Sequence, residues 1–259
     1  MSKPKIAVYK LASCSGCQLQ LVNLEPELLD LVGEVEIAYF PMASRKTVPG
    51  PYDICFIEGS ITREEEVEVV KKAREDCRVL VAMGACGTAG GPQGLKNWAR
   101  VEDFKERVYQ RPDWIRTGEK SLSPGEKVKI DLYLPGCPVS RDQLKEVIVA
   151  ALLGRKPYLG DWPVCVQCKM NNNVCLLVAS KTPCLGPVTR TGCGALCPTW
   201  GRGCYGCFGP CEDANVASMG RILRDLGLSP EEIVRRFRHV TSGAEAFREG
   251  AKLYEGQQD

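Results

Sequence analysis

The sequence predicts an α/β protein in two parts: an open, mostly parallel sheet wrapped by helices, then a small irregular domain closed by C-terminal helices. Three observations predict it. Short apolar, β-branched runs alternate with helical stretches over residues 1–154, the pattern of a parallel sheet with crossover helices. Regular periodicity stops after Pro157 and returns only near Asp213. Nine of the fifteen cysteines lie between Asp161 and Cys211, among many glycines and prolines. Such a segment is held by ligands rather than by an apolar core. The expected domains are therefore residues 1–157 and 158–259.

The first domain reads in order as follows. Lys5–Leu11 is a buried strand, followed by a tight Ser13–Cys17 loop. A helical run from Gln18 presents Leu19, Val22, Leu24, Leu28, Leu29 and Val32, with Pro26 placed to kink or restart it. Glu34–Phe40 and Ile54–Glu58 are the second and third strands. Thr62 and Glu65 fit a capping box that opens a helix to about Asp76. Arg78–Met83 is the fourth strand and leads into Gly84-Ala85-Cys86-Gly87. A polar, Gly-rich segment spans Thr88–Glu126, and Val128–Leu134 is the fifth strand, leading into Pro135-Gly136-Cys137-Pro138. Ser140 and Gln143 fit a second capping box, with a helix to about Leu153 and Gly154 past its end. In the second domain, Ala214–Leu226 and a stretch opened by Ser229-Pro230-Glu231-Glu232 are helices, and the tail after Ser242 is helical to about Tyr254.

Composition excludes several function classes. The 259 residues suffice for one large core or two domains. Lysine and arginine number 34 against 32 acidic residues, a net charge of +2, so no strong field attracts nucleic acid or an anionic membrane. The longest apolar run, Val147–Leu153, is too short to span a bilayer. The N-terminus has no export signal, so a cytoplasmic chain is expected unless a partner carries one. No G-x-G-x-x-G fingerprint for a dinucleotide is present. In a reducing compartment, fifteen cysteines point to metal rather than disulfides.

From Cys165 the cysteines run C-x2-C-x6-C-x8-C-x8-C-x3-C-x6-C-x2-C-x3-C. Core cysteines occur singly, so this procession calls for a soft, thiolate-loving ligand. Zinc favours paired C-x2-C knuckles, which Cys165/Cys168 and Cys204/Cys207 supply. Iron–sulfur clusters take four thiolates at varied spacing. Both readings are open on spacing. In the first domain, Cys14/Cys17, Cys86 and Cys137 each follow directly after a predicted strand. A parallel sheet gathers such loops at its carboxyl edge, so four sulfurs distant in sequence converge there. Zinc in the second domain leaves that convergence unexplained.

The motifs CSGCQLQL (14–21), IEGS (57–60), GACG (84–87), LPGCP (134–138), PCLGPVTRTGC (183–193) and GRGCYGCFGP (201–210) occur in order along nearly the whole chain. Together they resemble the small subunit of [NiFe] hydrogenases. More narrowly they resemble the delta subunit of the cytoplasmic sulfhydrogenase or NAD(P)-linked type, and they are similar to the small subunit of F420- and viologen-linked enzymes. The first domain also resembles the 20-kDa subunit of NADH:quinone oxidoreductase, which has adjacent cysteines in its first motif and lacks the cysteine-rich extension.

The resemblance implies a flavodoxin-like first domain and an iron–sulfur second domain. It implies three [4Fe–4S] clusters: a proximal one on Cys14, Cys17, Cys86 and Cys137, a distal one on Cys165, Cys168, Cys175 and Cys184, and a medial one on Cys193, Cys197, Cys204 and Cys207. Cys165 stands where many periplasmic relatives have histidine, and Cys197 offers a fourth medial ligand that they lack. The implied partners are a large subunit that holds nickel and iron, a flavin and NAD(P)-binding subunit, and further iron–sulfur subunits. The chain is then an electron-transfer subunit of a hydrogenase, with the hydrogen-activating site on another chain. A free-standing iron–sulfur carrier, or the wire of another oxidoreductase complex, is the alternative reading.

The remaining residues have plainer readings. Cys55 and Cys77 are structural. Cys211 follows the last C-x2-C and competes as a ligand. Glu58 ends a strand in the motif beside the proximal site, as a proton relay or partner contact on one reading and a cap or salt bridge on the other. His239 packs or is solvated, and Arg235, Arg236 and Arg238 form a solvated helix face on one reading and a dock for an acidic electron-transfer partner on the other. Glycines beside the ligands (Gly16, Gly84, Gly87, Gly136 and Gly206) allow backbone to approach sulfur on one reading and are ordinary turn glycines on the other.

Overall fold

A computed structural model describes residues 3–24 and 33–257. The chain forms two compact units that divide after Tyr158. The first is an α/β unit with five strands: β1 Lys5–Lys10, β2 Glu36–Tyr39, β3 Tyr52–Glu58, β4 Cys77–Met83 and β5 Leu132–Leu134. Every pairing is parallel, in the order β2-β1-β3-β4-β5. This is the flavodoxin-like order, whose switch point lies between β1 and β3. Helices cover both faces of such a sheet, which is why β3 and β4 read as continuous apolar runs rather than alternating ones. Ile54, Phe56, Leu80 and Val81 are fully buried in them. The register pairs Ile6 with Ile54 and Lys10 with Glu58, so β1 and β3 end together.

Several expected elements shift. β5 covers only its last three expected residues. Before it, the Asp131 carboxylate accepts the Leu80 N–H (2.8 Å) and is held by Arg74, so a side chain takes the place of a ladder carbonyl. The cap near Thr62 moves by one residue. Glu66, not Glu65, accepts the Thr62 N–H (2.6 Å) and the Arg63 N–H (3.0 Å), and the helix is Glu64–Glu75. Ser140 precedes the helix Arg141–Leu152 but makes no side-chain cap. The first helix is Gly16–Val22; it buries Gln18 and Leu21, while Leu19 and Val22 face solvent. The expected contributions of Pro26, Leu28, Leu29 and Val32 lie outside the described residues. The Gly-rich stretch contains a 3-10 helix, Pro92–Trp98, and a helix, Val101–Val108.

The second unit begins with short helices at Val164–Met170, Leu176–Ala179 and Leu196–Thr199. Its apolar core comes from the C-terminal helices Val216–Asp225, Pro230–Phe237 and Glu245–Lys252. Met219, Leu223, Ile233, Phe237 and Phe247 are fully buried there with Leu185. The second of these helices opens as its sequence dictates. Ser229 accepts the Glu232 N–H, Glu232 accepts the Ser229 N–H, and Pro230 stands at the first position. Among the described residues no helix is long and apolar enough to cross a membrane.

Candidate metal centres

In the first unit, four cysteines meet at the carboxyl edge of the sheet. Cys14 leaves β1, and Cys17 sits in the first turn of Gly16–Val22. Cys86 lies in the short helix Gly84–Ala89 directly after β4, and Cys137 in the turn after β5. Their sulfurs interact electrostatically: Cys17 with Cys86 and Cys137, Cys86 with Cys137 and Cys14, and Cys137 with Cys14. Cys17 and Cys86 are buried, whereas Cys14 and Cys137 face outward. Gly84 makes the approach of Cys17 possible. Its φ is +80°, and a Cβ there would stand 2.5 Å from Cys17 Sγ. The Gly16 N–H points at Cys14 Sγ at 3.4 Å.

Glu58, at the end of β3, is 1% exposed beside these cysteines. Its carboxylate accepts the Cys17 N–H (3.1 Å) and the Gln18 side-chain N–H (2.6 Å). It therefore caps the start of the helix that carries Cys17 from a neighbouring strand. The sequence offered Glu58 but not Gln18, because the contact spans 40 residues. Among the described residues, buried Gln18 Oε1 and Ser13 Oγ find no hydrogen-bond partner. Gln93 is a second residue that sequence reasoning missed. Its side-chain amide donates to Ala12 O (2.9 Å) and its oxygen accepts from the Cys86 thiol (3.3 Å).

The second unit brings its eight candidate cysteines into one group around Cys165 and two pairs, with Cys184 near all of them. Cys165 interacts with Cys184, Cys168 and Cys175. Cys197 interacts with Cys193, and Cys204 with Cys207. Cys184 lies close to both pairs, since Cys197 and Cys204 also sense it. Its sulfur accepts the Cys204 N–H at 3.1 Å. Cys204 Sγ in turn faces the Gly206 N–H at 3.5 Å.

The donor set fits a multinuclear cationic group. Burial drives Cys17 far above the ordinary thiol range, Cys86 and Cys165 to about 11, and Cys204 to about 12. Bare thiolates are costly at such positions, and bound metal removes that cost. Among the described residues no three Cys, His, Asp or Glu side chains close around a single ion. Ligands at separate corners of a cube stand farther apart than ligands of one ion.

The other cysteines are set apart. Cys55 and Cys77 are joined as a disulfide in the first core, Cα atoms 6.0 Å apart. This agrees with the structural reading of the pair; neighbouring parallel strands bring the two sulfurs together, an exception to the general expectation of metal rather than disulfides. Cys211 is buried, its thiol raised by that burial, with Arg190 and Asp213 as its charged neighbours rather than other cysteines. His239 is exposed, its ring 5.6 Å from that of Tyr205. Arg235 pairs with Glu231, and Arg238 with Glu255.

Residues 14–151 match the family described as NADH ubiquinone oxidoreductase, 20 Kd subunit. The chain is 38% identical over 240 residues to the sulfhydrogenase 2 subunit delta of Pyrococcus furiosus, covering 90% of this chain and 98% of that protein. It is 32% identical over 261 residues to a vhu subunit of the F420-non-reducing hydrogenase of Methanocaldococcus jannaschii, covering 88% of this chain and 90% of that one. A crystal structure of an NAD+-reducing [NiFe]-hydrogenase in the H2-reduced state contains a chain 32% identical to it. That chain superposes with a TM-score of 0.55 over 60% of this chain and 94% of its own length.

Proposed function

The chain belongs to the family of the NADH ubiquinone oxidoreductase 20 Kd subunit, and from that premise we propose that it is the electron-transfer small subunit of a multi-subunit [NiFe] hydrogenase. The gathering of Cys14, Cys17, Cys86 and Cys137 at the carboxyl edge of the sheet, from three separate strand ends, carries the reading. Hydrogenase subunits as relatives over nearly the full length support it.

Residues 1–157 would hold a proximal [4Fe–4S] cluster on Cys14, Cys17, Cys86 and Cys137. Residues 158–259 would hold a distal cluster on Cys165, Cys168, Cys175 and Cys184 and a medial one on Cys193, Cys197, Cys204 and Cys207. Such clusters supply one-electron carriers of tunable potential. The chain's own residues supply thiolates, N–H groups aimed at sulfur and exclusion of water. Gly16 and Gly206 aim backbone N–H groups at Cys14 and Cys204. Glu58 fixes the helix start that carries Cys17. Burial of Cys17 and Cys86 in the first set, Cys184 in the second and Cys204 in the third keeps water from part of each.

A large subunit carrying the nickel–iron site would cover the exposed Cys14 and Cys137. A flavin and NAD(P)-binding partner, with further iron–sulfur subunits, would take electrons onward in the cytoplasm. No nucleic acid or membrane partner is proposed. The family match covers the sheet unit, which favours as second reading an iron–sulfur carrier of another complex, F420- or viologen-linked or quinone-reductase-like.

Anaerobic purification of the native complex, then metal analysis of its separated subunits, tests the proposal. About twelve irons on this chain with nickel on a co-purifying partner is the expected result. Iron here without nickel anywhere would transfer the chain to the second reading. Zinc in place of iron would remove both.

A further inference from the structure

One peptide group in the second unit would serve both proposed cysteine sets. The side chain of Cys204 is assigned with Cys193, Cys197 and Cys207, while its backbone N–H donates to Cys184 Sγ at 3.1 Å. The Cys204 carbonyl accepts the Leu185 N–H at 3.0 Å, so residues 184–185 and 204 are clamped by two bonds. Residue 203 decides whether this approach is possible. A Cβ on Gly203 would run into the Pro183 carbonyl oxygen, 3.0 Å from its carbon and 3.2 Å from Cys184 Cα. Every one of those atoms is backbone, so no side chain can turn aside to make room. Gly186, on the other side of Cys184, differs. A Cβ there would meet Cys184 Sγ at 3.4 Å, Cys165 Sγ at 3.6 Å and Cys204 Cβ at 3.8 Å, all ordinary contacts.

We propose that Gly203 is a positioning residue that sets the reduction potential of the cluster held by Cys184, by admitting the Cys204 N–H to that sulfur. The proposal rests on the reading that both sets bind iron–sulfur clusters. Reduction adds negative charge to a cluster, and an N–H aimed at a ligand sulfur stabilises the added charge. Removing the donor therefore moves that potential downward.

The test uses the native complex purified anaerobically with Gly203→Ala or Gly186→Ala in this chain. Iron is counted first, and potentials are then read by redox titration followed by electron paramagnetic resonance. Gly203→Ala is expected to keep its iron and to lower one potential of the second unit, leaving that of the first unit in place. Gly186→Ala is expected to leave all potentials in place. Full iron with unchanged potentials in Gly203→Ala would overturn the proposal. If Gly203→Ala fails to load iron, wild-type complex grown with 15N-cysteine decides. Among the described backbone N–H groups aimed at the sulfurs of the twelve candidate ligands, only that of Cys204 comes from a cysteine. A 15N coupling transmitted through that bond in pulsed resonance is expected, and its absence overturns the proposal. Wild-type chain without iron would instead remove the cluster reading itself.

Discussion

A thiol buried away from water keeps its proton unless something positive takes the proton's place. Cys17, Cys86, Cys165 and Cys204 are in that position, each pushed upward first by burial. Single replacement of Cys17 or Cys86 by serine should therefore remove about four irons, as counted per purified chain, and leave the signals of the second unit intact. Cys211→Ser should leave the iron count unchanged, because Arg190 and Asp213 are the charged neighbours of that sulfur. Glu58→Gln puts an amide donor against the N–H of Cys17 or Gln18. It should cost about 1–3 kcal/mol in denaturant unfolding of the chain, the usual cost of a buried donor left unsatisfied. The convergence of Cys14/Cys17, Cys86 and Cys137 was legible in the sequence because each of these motifs follows a strand. Gln18, Gln93 and Gly203 were not, since their roles come from contacts with residues tens of positions away that no local pattern records.

The strands and C-terminal helices follow local rules. β1, β3 and β4 are runs that only a doubly covered parallel sheet accommodates, and all three formed close to their expected limits. The ends were harder to read. β5 shortens because Asp131 supplies its own acceptor, and the cap near Thr62 slides because Glu66 reaches two backbone donors where Glu65 was expected. In the helix Pro230–Phe237 the cap is complete, so Ser229→Ala should cost about 1 kcal/mol, visible as a lower melting temperature. The helix Arg141–Leu152 is tied to the chain after it by Glu146, which accepts from Arg155 and from the Tyr158 N–H (2.8 Å). Arg155 first, and then that N–H, lower the Glu146 carboxyl from 4.5 to about 2. A lowered folded value stabilises the protein above the ordinary carboxylate range, and the contribution disappears as pH falls through about 2. Arg155→Met should accordingly reduce stability at neutral pH, and the difference from wild type should vanish near pH 2 in acid-unfolding curves.

At the scale of the whole molecule, the two units are stabilised in different ways. The first has a buried sheet core and would hold one ligand set at its edge. The second draws its main apolar core from its last three helices with Leu185 and Val188, and residues 159–211 are short helices and turns with a smaller buried cluster at Val164, Cys184, Ala195 and Cys204. Composition already indicated that contrast, through cysteine density and the loss of periodicity after Pro157. Cluster loading should therefore stabilise the second unit far more than the first, a difference that hydrogen exchange of loaded and iron-depleted chain would show. The central claim is that twelve of the fifteen cysteines hold three clusters while Cys55, Cys77 and Cys211 hold none. Native mass spectrometry of the chain, released anaerobically from its complex, tests it most directly. The account predicts a mass above that of the bare chain by about three Fe4S4 units. A mass raised by two zinc ions, or by a single cluster, would contradict it.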